Sequence, residues 1–255
     1  MKPKLCIGVP YYGAQDAEWW VPFSANIGLL ANDYEVTIIT SGTMATDHNR
    51  NKIVAKFLET DAEWLFWVDA DTIVPRGAVN RLMAMGKTLA SGLYYGKNDP
   101  HPPIAYVKAN GAFVPLNKTR NWERGEIIAV DASGMGCMLT HRSVFEDIKN
   151  QHTVLQRIGG GLLLVHNNDI EGTLEQSHPH DGKVYKGQYR QRVIKPTIEA
   201  DFPFFALEFG RTEDMWFFDH AARCGHKVWL DTSVECGHLR PLAFTGKDYR
   251  EIHGN

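Results

Sequence analysis

Two acids close a run of large apolar residues in "WLFWVDADTIVP" (64–75), and their spacing is the first chemical signal in the chain. Residues i and i+2 of a strand point to one side, so Asp69 and Asp71 can converge on a single ligand. Neighbouring carboxylates repel each other and stay ionised most readily around a cation. Hard oxygen donors on a short turn suit Mg²⁺ or Mn²⁺, and such an ion bridges a diphosphate. The same Asp-x-Asp-Thr pattern also serves as a plain acidic strand end that leads into a turn.

A second group of chemically able residues lies in "GRTEDMWFFDHAARCGHKVWLDTSVECGHL" (210–239). Thr212 is placed to cap a helix whose first turn holds Glu213 and Asp214, with Gly225 as its stop. Acids there favour the helix dipole whatever the function, and the same field is expected to keep Asp214 ionised, as a general base requires. His238 follows on a Gly-flanked segment able to swing towards a metal. "CGH" occurs twice, at 224–226 and 236–238, but Cys-x-His is too tight for usual zinc spacing.

These residues need elements to hold them. "KLCIGVP" (4–10), "YEVTIIT" (34–40), "AEWLFWVDA" (62–70) and "TLASGLYYG" (88–96) read as strands. The third is apolar on both faces, as a central strand covered by helices must be. Ile53, Val54, Phe57 and Leu58 share a helical face behind Thr46 as N-cap, and "GAVNRLMAMG" (77–86) is a further helix. After "HPP" (101–103) come β-hairpins in "IAYVKA", "AFVPLN" and "EIIAVDA", then a strand running into a helix in "GCMLTHRSVFEDI". The alternation predicts an α/β fold: a mostly parallel, Rossmann-like central sheet flanked by helices, with a small antiparallel β portion. Asp69 and Asp71 then lie at the C-terminal end of a central strand, where open α/β sheets place their ligands. One domain is expected over 1–255, with an irregular insertion at about 150–200 as a lid or acceptor loop.

Composition narrows the function classes. With 44% hydrophobic and 22% charged residues, the 255-residue chain can bury a real core. A net charge of -3 argues against a generally basic, nucleic-acid-coating surface. Four scattered cysteines make no disulfide framework, so a reducing compartment is expected. The apolar run before Pro10, about six residues, is too short for a signal core, and no stretch approaches the roughly 20 apolar residues of a membrane span. A cytoplasmic protein without a membrane span is expected, of a cell or of a virus within one.

Taken in order, "IGVPYY", "NRNKIVAKFL", "WLFWVDADTIVP", "DASGMGCMLTHRSVF", "TEDMWFFDHAARCGHKVWLDTS" and "CGHL" resemble a GT-A glycosyltransferase of the family-two kind. The likeness covers most of the chain outside 150–200. It implies the GT-A fold and a metal-dependent hexosyltransferase that moves a sugar from a nucleotide-diphosphate sugar, UDP-linked by preference, to an acceptor hydroxyl with inversion. By this resemblance Asp71 binds Mn²⁺ (or Mg²⁺), Asp69 contacts the metal or the donor ribose, and His238 is the C-terminal metal ligand. Asp214 is the base on the acceptor hydroxyl, with Glu213 beside it. Pro10 and Tyr12 flank the nucleotide, Arg50 sits near the base or diphosphate, and Gly134 belongs to "SGMG" (133–136), which lines the sugar and acceptor side. Many family-two members end the second strand on an Asp that holds uracil; "TIITSGT" does not, so the uridine carrier is less firmly implied than the fold.

Other readings compete. A haloacid-dehalogenase-type phosphatase would use Asp69 as nucleophile, but Ile73 replaces its usual Thr or Val and two strands precede the motif. A nucleotidyltransferase would carry a Gly-rich loop with Arg and Pro-Lys after the first strand, which "VPYYGAQDAEWWVPF" lacks. A non-catalytic glycan-binding relative would use tryptophans as stacking platforms. Trp64, Trp67, Trp216 and Trp229 fall on apolar faces, which leaves Trp19, Trp20 and Trp122. The acceptor is expected to be a glycan or small molecule. The basic and aromatic "GKVYKGQYRQRVIK" (182–195) also admits a modified DNA base.

Overall fold

A computed structural model describes residues 2–13, 15–42, 45–156, 162–169, 192–193, 202–207 and 211–239. Its centre is a seven-stranded sheet formed by β1 (Lys4–Pro10), β2 (Glu35–Ser41), β3 (Trp64–Val68), β5 (Leu89–Leu93), β8 (Ile127–Val130), β10 (Cys137–His141) and β14 (Val228–Glu235). The order is β2-β1-β3-β10-β5-β14-β8. Five strands (β2, β1, β3, β5, β14) run one way, and β10 and β8 run against them. The fold is therefore α/β with a mostly parallel sheet, as the alternating pattern predicts.

Strand pleating divides the core into two layers. On β3, Leu65 and Trp67 face one side while Phe66 and Val68 face the other, and all four are buried. The first side is covered by α2 (Thr46–Leu58), α4 (Arg142–Gln151) and α5 (Glu213–Arg223), through Ile53, Phe57, Phe145, Ile148, Phe217 and Ala221. The second is covered by α1 (Ala17–Asp33) and α3 (Ala78–Ala84), through Trp19, Phe23, Leu30, Val79 and Leu82. Each large apolar side chain buried there contributes about 1.5–3 kcal/mol to holding its helix on the sheet.

Among the described residues there are also three smaller antiparallel sheets. β4 (Thr72–Ile73) pairs with β15 (Gly237–His238). β6 (Ala105–Ala109) lies between β7 (Ala112–Pro115) and β9 (Ala132–Ser133). β11 (His152–Gln156) lies between β12 (Leu162–His166) and β13 (Arg192–Val193). This last sheet stands in the region read as an irregular insertion, with β11 and β12 paired antiparallel as consecutive strands. The rest of 150–200, including most of the basic 182–195 segment, lies outside the described residues. Likewise β8 joins no hairpin with its neighbours in sequence but forms the edge of the central sheet against β14.

Three further expectations are corrected. Thr46 is the first residue of α2 rather than its cap, which is Ala45 without a side-chain bond. Helix α1 is hidden in the sequence by Pro22 within it and by exposed Trp20, Val21 and Leu29 on its outer side. Trp19 is no exposed platform: it is 2% exposed and stacks on Phe23 with ring centres 4.5 Å apart. Trp122 is partly buried against the core, and only Trp20 of the three stands well exposed.

Candidate active site

The chain order β1, β2, β3 against the sheet order β2-β1-β3 puts a topological switch point between β1 and β3. The loops after these strands diverge there and leave a crevice. It holds a cleft of about 570 Å³ lined by Pro10, Tyr12, Arg50, Asp69, Asp71, Glu213, Asp214 and His238, among others. Eight residues singled out from four separate stretches of sequence thus share one cavity. Gly134 does not line it but permits its wall: a Cβ there would lie 1.8 Å from the Tyr94 hydroxyl oxygen.

The turn after β3 is pinned at several points. The Thr72 and Leu239 amides donate to the carbonyls of Asp69 and Asp71, at 2.9 and 2.7 Å, and the Trp19 indole donates to the Asp69 carbonyl at 2.9 Å. Pairing of His238 with Thr72 between β15 and β4 brings the far end of the described chain onto this turn. His238 Nδ1 bonds the Tyr95 carbonyl at 2.8 Å, which leaves Nε2 3.6 Å from Asp71 Oδ2. Lys97, on the loop after β5, reaches the same Asp71 oxygen at 2.5 Å.

A second charge cluster centres on Arg50, which is 2% exposed. Its Nη2 lies 3.1 Å from Asp69 Oδ1, and its Nε lies 3.5 Å from Glu213 Oε1 and 3.6 Å from Asp214 Oδ1. Its guanidinium carbon sits 5.6 Å from the centre of the Trp67 ring and 5.9 Å from that of Phe205. Thr212 caps α5, its hydroxyl accepting the Met215 amide at 3.4 Å, so Glu213 and Asp214 occupy the helix's first turn as the sequence predicts.

The two clusters manage charge in opposite ways. Burial opposes ionisation of Asp71, but His238 and Lys97 outweigh it and hold the carboxyl at about 2. Burial also pushes Asp69 upward against the pull of Arg50. Burial pushes Asp214 well above the carboxylate range; Arg50 opposes this, while Glu213 and Asp69 add to the rise. The expectation that the helix terminus keeps Asp214 ionised is therefore corrected, because one guanidinium faces three carboxylates in a desolvated corner. Environments that separate two carboxyls in this way are a hallmark of acid–base sites.

No protein-family model matches the chain, and no curated protein matches it. The fold is similar to that of A197 from STIV. That crystal structure matches with a TM-score of 0.51 at 17% identity, over 93% of this chain and 86% of A197. A glycosyltransferase involved in the glycosylation of the major capsid of PBCV-1 matches more distantly, with a TM-score of 0.33 and 11% identity over 56% of this chain and 63% of its own. The likeness to A197 is one of fold.

The Asp71–His238 corner offers two donors of the kinds that divalent cations take. A carboxylate oxygen and an imidazole nitrogen converge there, and the Tyr95 carbonyl fixes the imidazole from its other nitrogen, as supporting groups of metal-binding histidines do. Asp69 does not join them, since its carboxylate turns to Arg50, and among the described residues no group of three or more His, Cys, Asp or Glu is arranged around one metal position. Sequence reasoning missed Lys97 and Tyr94. Their available signal was position: "LYYGK" follows a buried strand whose end opens into the same crevice. Among the described residues no helix is long and apolar enough to cross a membrane.

Proposed function

We propose that this chain is a GT-A-type glycosyltransferase that moves a sugar from a nucleotide-diphosphate sugar to an acceptor hydroxyl. The observation that carries this reading is the shared cleft, whose lining includes both the Asp71–His238 corner and the Glu213–Asp214 helix terminus. The first suits a diphosphate leaving group and the second an attacking hydroxyl. A divalent ion, Mn²⁺ or Mg²⁺, would be held by Asp71 and His238 and would act as a Lewis acid on the departing diphosphate.

Pro10 and Tyr12 at the end of β1 flank the nucleotide, with UDP the favoured carrier. Arg50 has Nη1 buried without a hydrogen-bond partner, which suits a polar group of the donor. Asp69, fixed by Arg50, faces the donor ribose rather than the metal. Asp214, once it has given up the proton that burial favours, accepts the acceptor's proton as its hydroxyl attacks the anomeric carbon, and a basic carboxylate does this better than an ordinary one. One displacement with one base inverts the configuration. The acceptor is a glycan or a small molecule, with a modified DNA base as the less supported choice. The four free cysteines fit a reducing cytoplasmic setting.

The test is release of nucleoside diphosphate from UDP-, GDP- and ADP-linked sugars in Mn²⁺. Asp214→Asn should lower transfer by roughly 10²–10⁴-fold while leaving donor binding in place. A purified protein that turns over none of these donors, with a panel of glycan and small-molecule acceptors supplied, contradicts the proposal.

A further inference from the structure

Tyr94 follows directly on β5, and its side chain is built into the wall of the cleft. The residue is 4% exposed, and its ring meets that of His238 edge-on with centres 5.4 Å apart. Its hydroxyl oxygen accepts the Gly136 amide at 3.1 Å, and a Cβ at Gly134 would lie 1.8 Å from the same oxygen. The backbone of 134–136 thus closes tightly on the phenol, and position 134 has no room for a side chain. Among the described residues the Gly136 amide is the hydroxyl's one hydrogen-bond partner, so its own proton has no protein acceptor there. The Ser133 hydroxyl in the same wall is engaged, by contrast: it donates to the Ile104 carbonyl at 3.1 Å and bonds Ser91 Oγ at 2.9 Å. Burial, Asp69 and Asp214 hold the Tyr94 phenol well above the usual tyrosine range, against the pull of the Gly136 amide and Arg50. The phenol therefore keeps its proton and acts as a donor. A buried donor on a cleft wall is matched by an acceptor that a ligand brings.

We propose that Tyr94 is a specificity-determining residue that donates its phenolic hydrogen bond to a hydroxyl oxygen of the transferred sugar. This rests on the glycosyltransferase reading above and deepens it. Position favours the sugar over the nucleotide and the acceptor. The phenol feels the charges of both Asp69 and Asp214, the first assigned to the donor ribose and the second to the acceptor hydroxyl. The group that lies between a nucleotide and an attacking hydroxyl is the sugar being moved. A neutral phenol also suits a neutral hydroxyl, whereas the buried Arg50 guanidinium suits a more polar group of the donor. Because the Gly136 amide and the His238 ring hold the phenol in place, the sugar must bring its oxygen to a fixed point. A sugar without a hydroxyl at that point leaves a buried donor unsatisfied and is discriminated against.

The experiment compares calorimetric binding of UDP-glucose, UDP-galactose, UDP-N-acetylglucosamine and GDP-mannose with that of UDP and GDP, in the wild type and in Tyr94→Phe. For the sugar nucleotide that the wild type binds most tightly, Tyr94→Phe should weaken binding roughly fivefold or more. The matching nucleoside diphosphate should stay within about twofold of wild type, since it lacks the sugar that the phenol contacts. Among singly deoxygenated forms of that sugar nucleotide, one should bind both proteins alike, because the contact is already missing from it. Tyr94→Phe also deprives the Gly136 amide of its acceptor, and that purely structural effect would weaken the nucleoside diphosphate and every deoxy form together. Such a uniform loss overturns the proposal, as does equal binding of the parent sugar nucleotide by both proteins. Either result leaves the glycosyltransferase reading standing. A wild type that binds none of the sugar nucleotides removes that reading and this inference with it.

Discussion

His238 Nε2 stands 3.6 Å from Asp71 Oδ2, although the two residues come from opposite ends of the described chain. The cause is a two-residue ladder: β15 pairs with β4, His238 opposite Thr72, directly beyond the acidic turn. The Leu239 amide closes on the Asp71 carbonyl at 2.7 Å and locks the register. Backbone pairing brings the two side chains together.

Removing either side chain should therefore lower metal affinity without unfolding the domain. Asp71→Ala and His238→Ala are each expected to weaken Mn²⁺ binding in the presence of UDP by at least about tenfold, as loss of supporting or direct ligands generally does. Both should still unfold in one cooperative transition, because Asp71 and His238 lie at the cleft and outside the two buried hydrophobic layers, although Asp71→Ala gives up the stability its lowered carboxyl contributes at neutral pH. Calorimetric titration and a melting curve check the two halves.

Arg50 has a different role in stability. It is enclosed by Trp67, Phe205 and three carboxylates, so Arg50→Met leaves Asp69, Glu213 and Asp214 facing one another in a desolvated corner. Loss of one partner from a buried charge cluster costs about 3–5 kcal/mol. Urea unfolding at neutral pH should show a loss of this size, and acidification should recover part of it as the carboxyls gain protons.

The raised Asp214 carboxyl predicts a pH dependence of definite sign. Between the ordinary carboxylate range and its raised native value, the folded chain keeps a proton that the unfolded chain has lost. Stability then falls as pH rises through that window. Asp214→Asn removes this contribution, so the variant should melt higher than the wild type at neutral pH and converge with it below about pH 4, near the unfolded carboxylate value. Asp71 behaves in the opposite sense: its carboxyl is held at about 2, so its contribution is present above the unfolded value and disappears as pH falls towards 2. Melting curves from pH 3 to pH 8 on both variants separate the two.

Gly134 and Gly136 test the wall of the cleft. A Cβ at Gly134 would lie 1.8 Å from the Tyr94 hydroxyl oxygen, which accepts the Gly136 amide at 3.1 Å. A Cβ at Gly136 would lie 2.5 Å from Thr72 Oγ1 and 3.3 Å from Asp69 Oδ2. Gly134→Ala should cost about 1–3 kcal/mol through overpacking. The double variant with Tyr94→Phe should recover part of that loss in a chemical-denaturation cycle, since it removes the nearest atom of the clash.

Much of this was readable from residues alone. Strands such as "KLCIGVP" and "WLFWV" are apolar on both faces, and that pattern follows directly from burial between two helical layers. Asp69, Asp71, Glu213, Asp214 and His238 were legible because strand ends, a helix cap and a glycine-flanked turn each have local signatures. What sequence did not reveal depends on distance. Lys97 and Tyr94 join the site only because β5 lies beside β10 and β14 in the sheet. The ionisation of Asp214 depends on Asp69 and Arg50, which approach from other elements, so the helix dipole alone pointed the wrong way. Helix α1 escaped notice because Pro22 interrupts its signal and its apolar outer residues blur its face.

The central claim is that the cleft binds a nucleotide-diphosphate sugar through the Asp71–His238 corner. It is tested most directly by the thermal midpoint of the chain with UDP-, GDP-, ADP- and CMP-linked sugars, each with Mn²⁺ and with EDTA. One donor should raise the midpoint in Mn²⁺ and not in EDTA, with stabilisation of about 2.7 kcal/mol at a hundredfold excess over its dissociation constant. The same donor should leave Asp71→Ala unshifted. A midpoint that no donor moves in Mn²⁺, or a shift that persists in Asp71→Ala, contradicts the account.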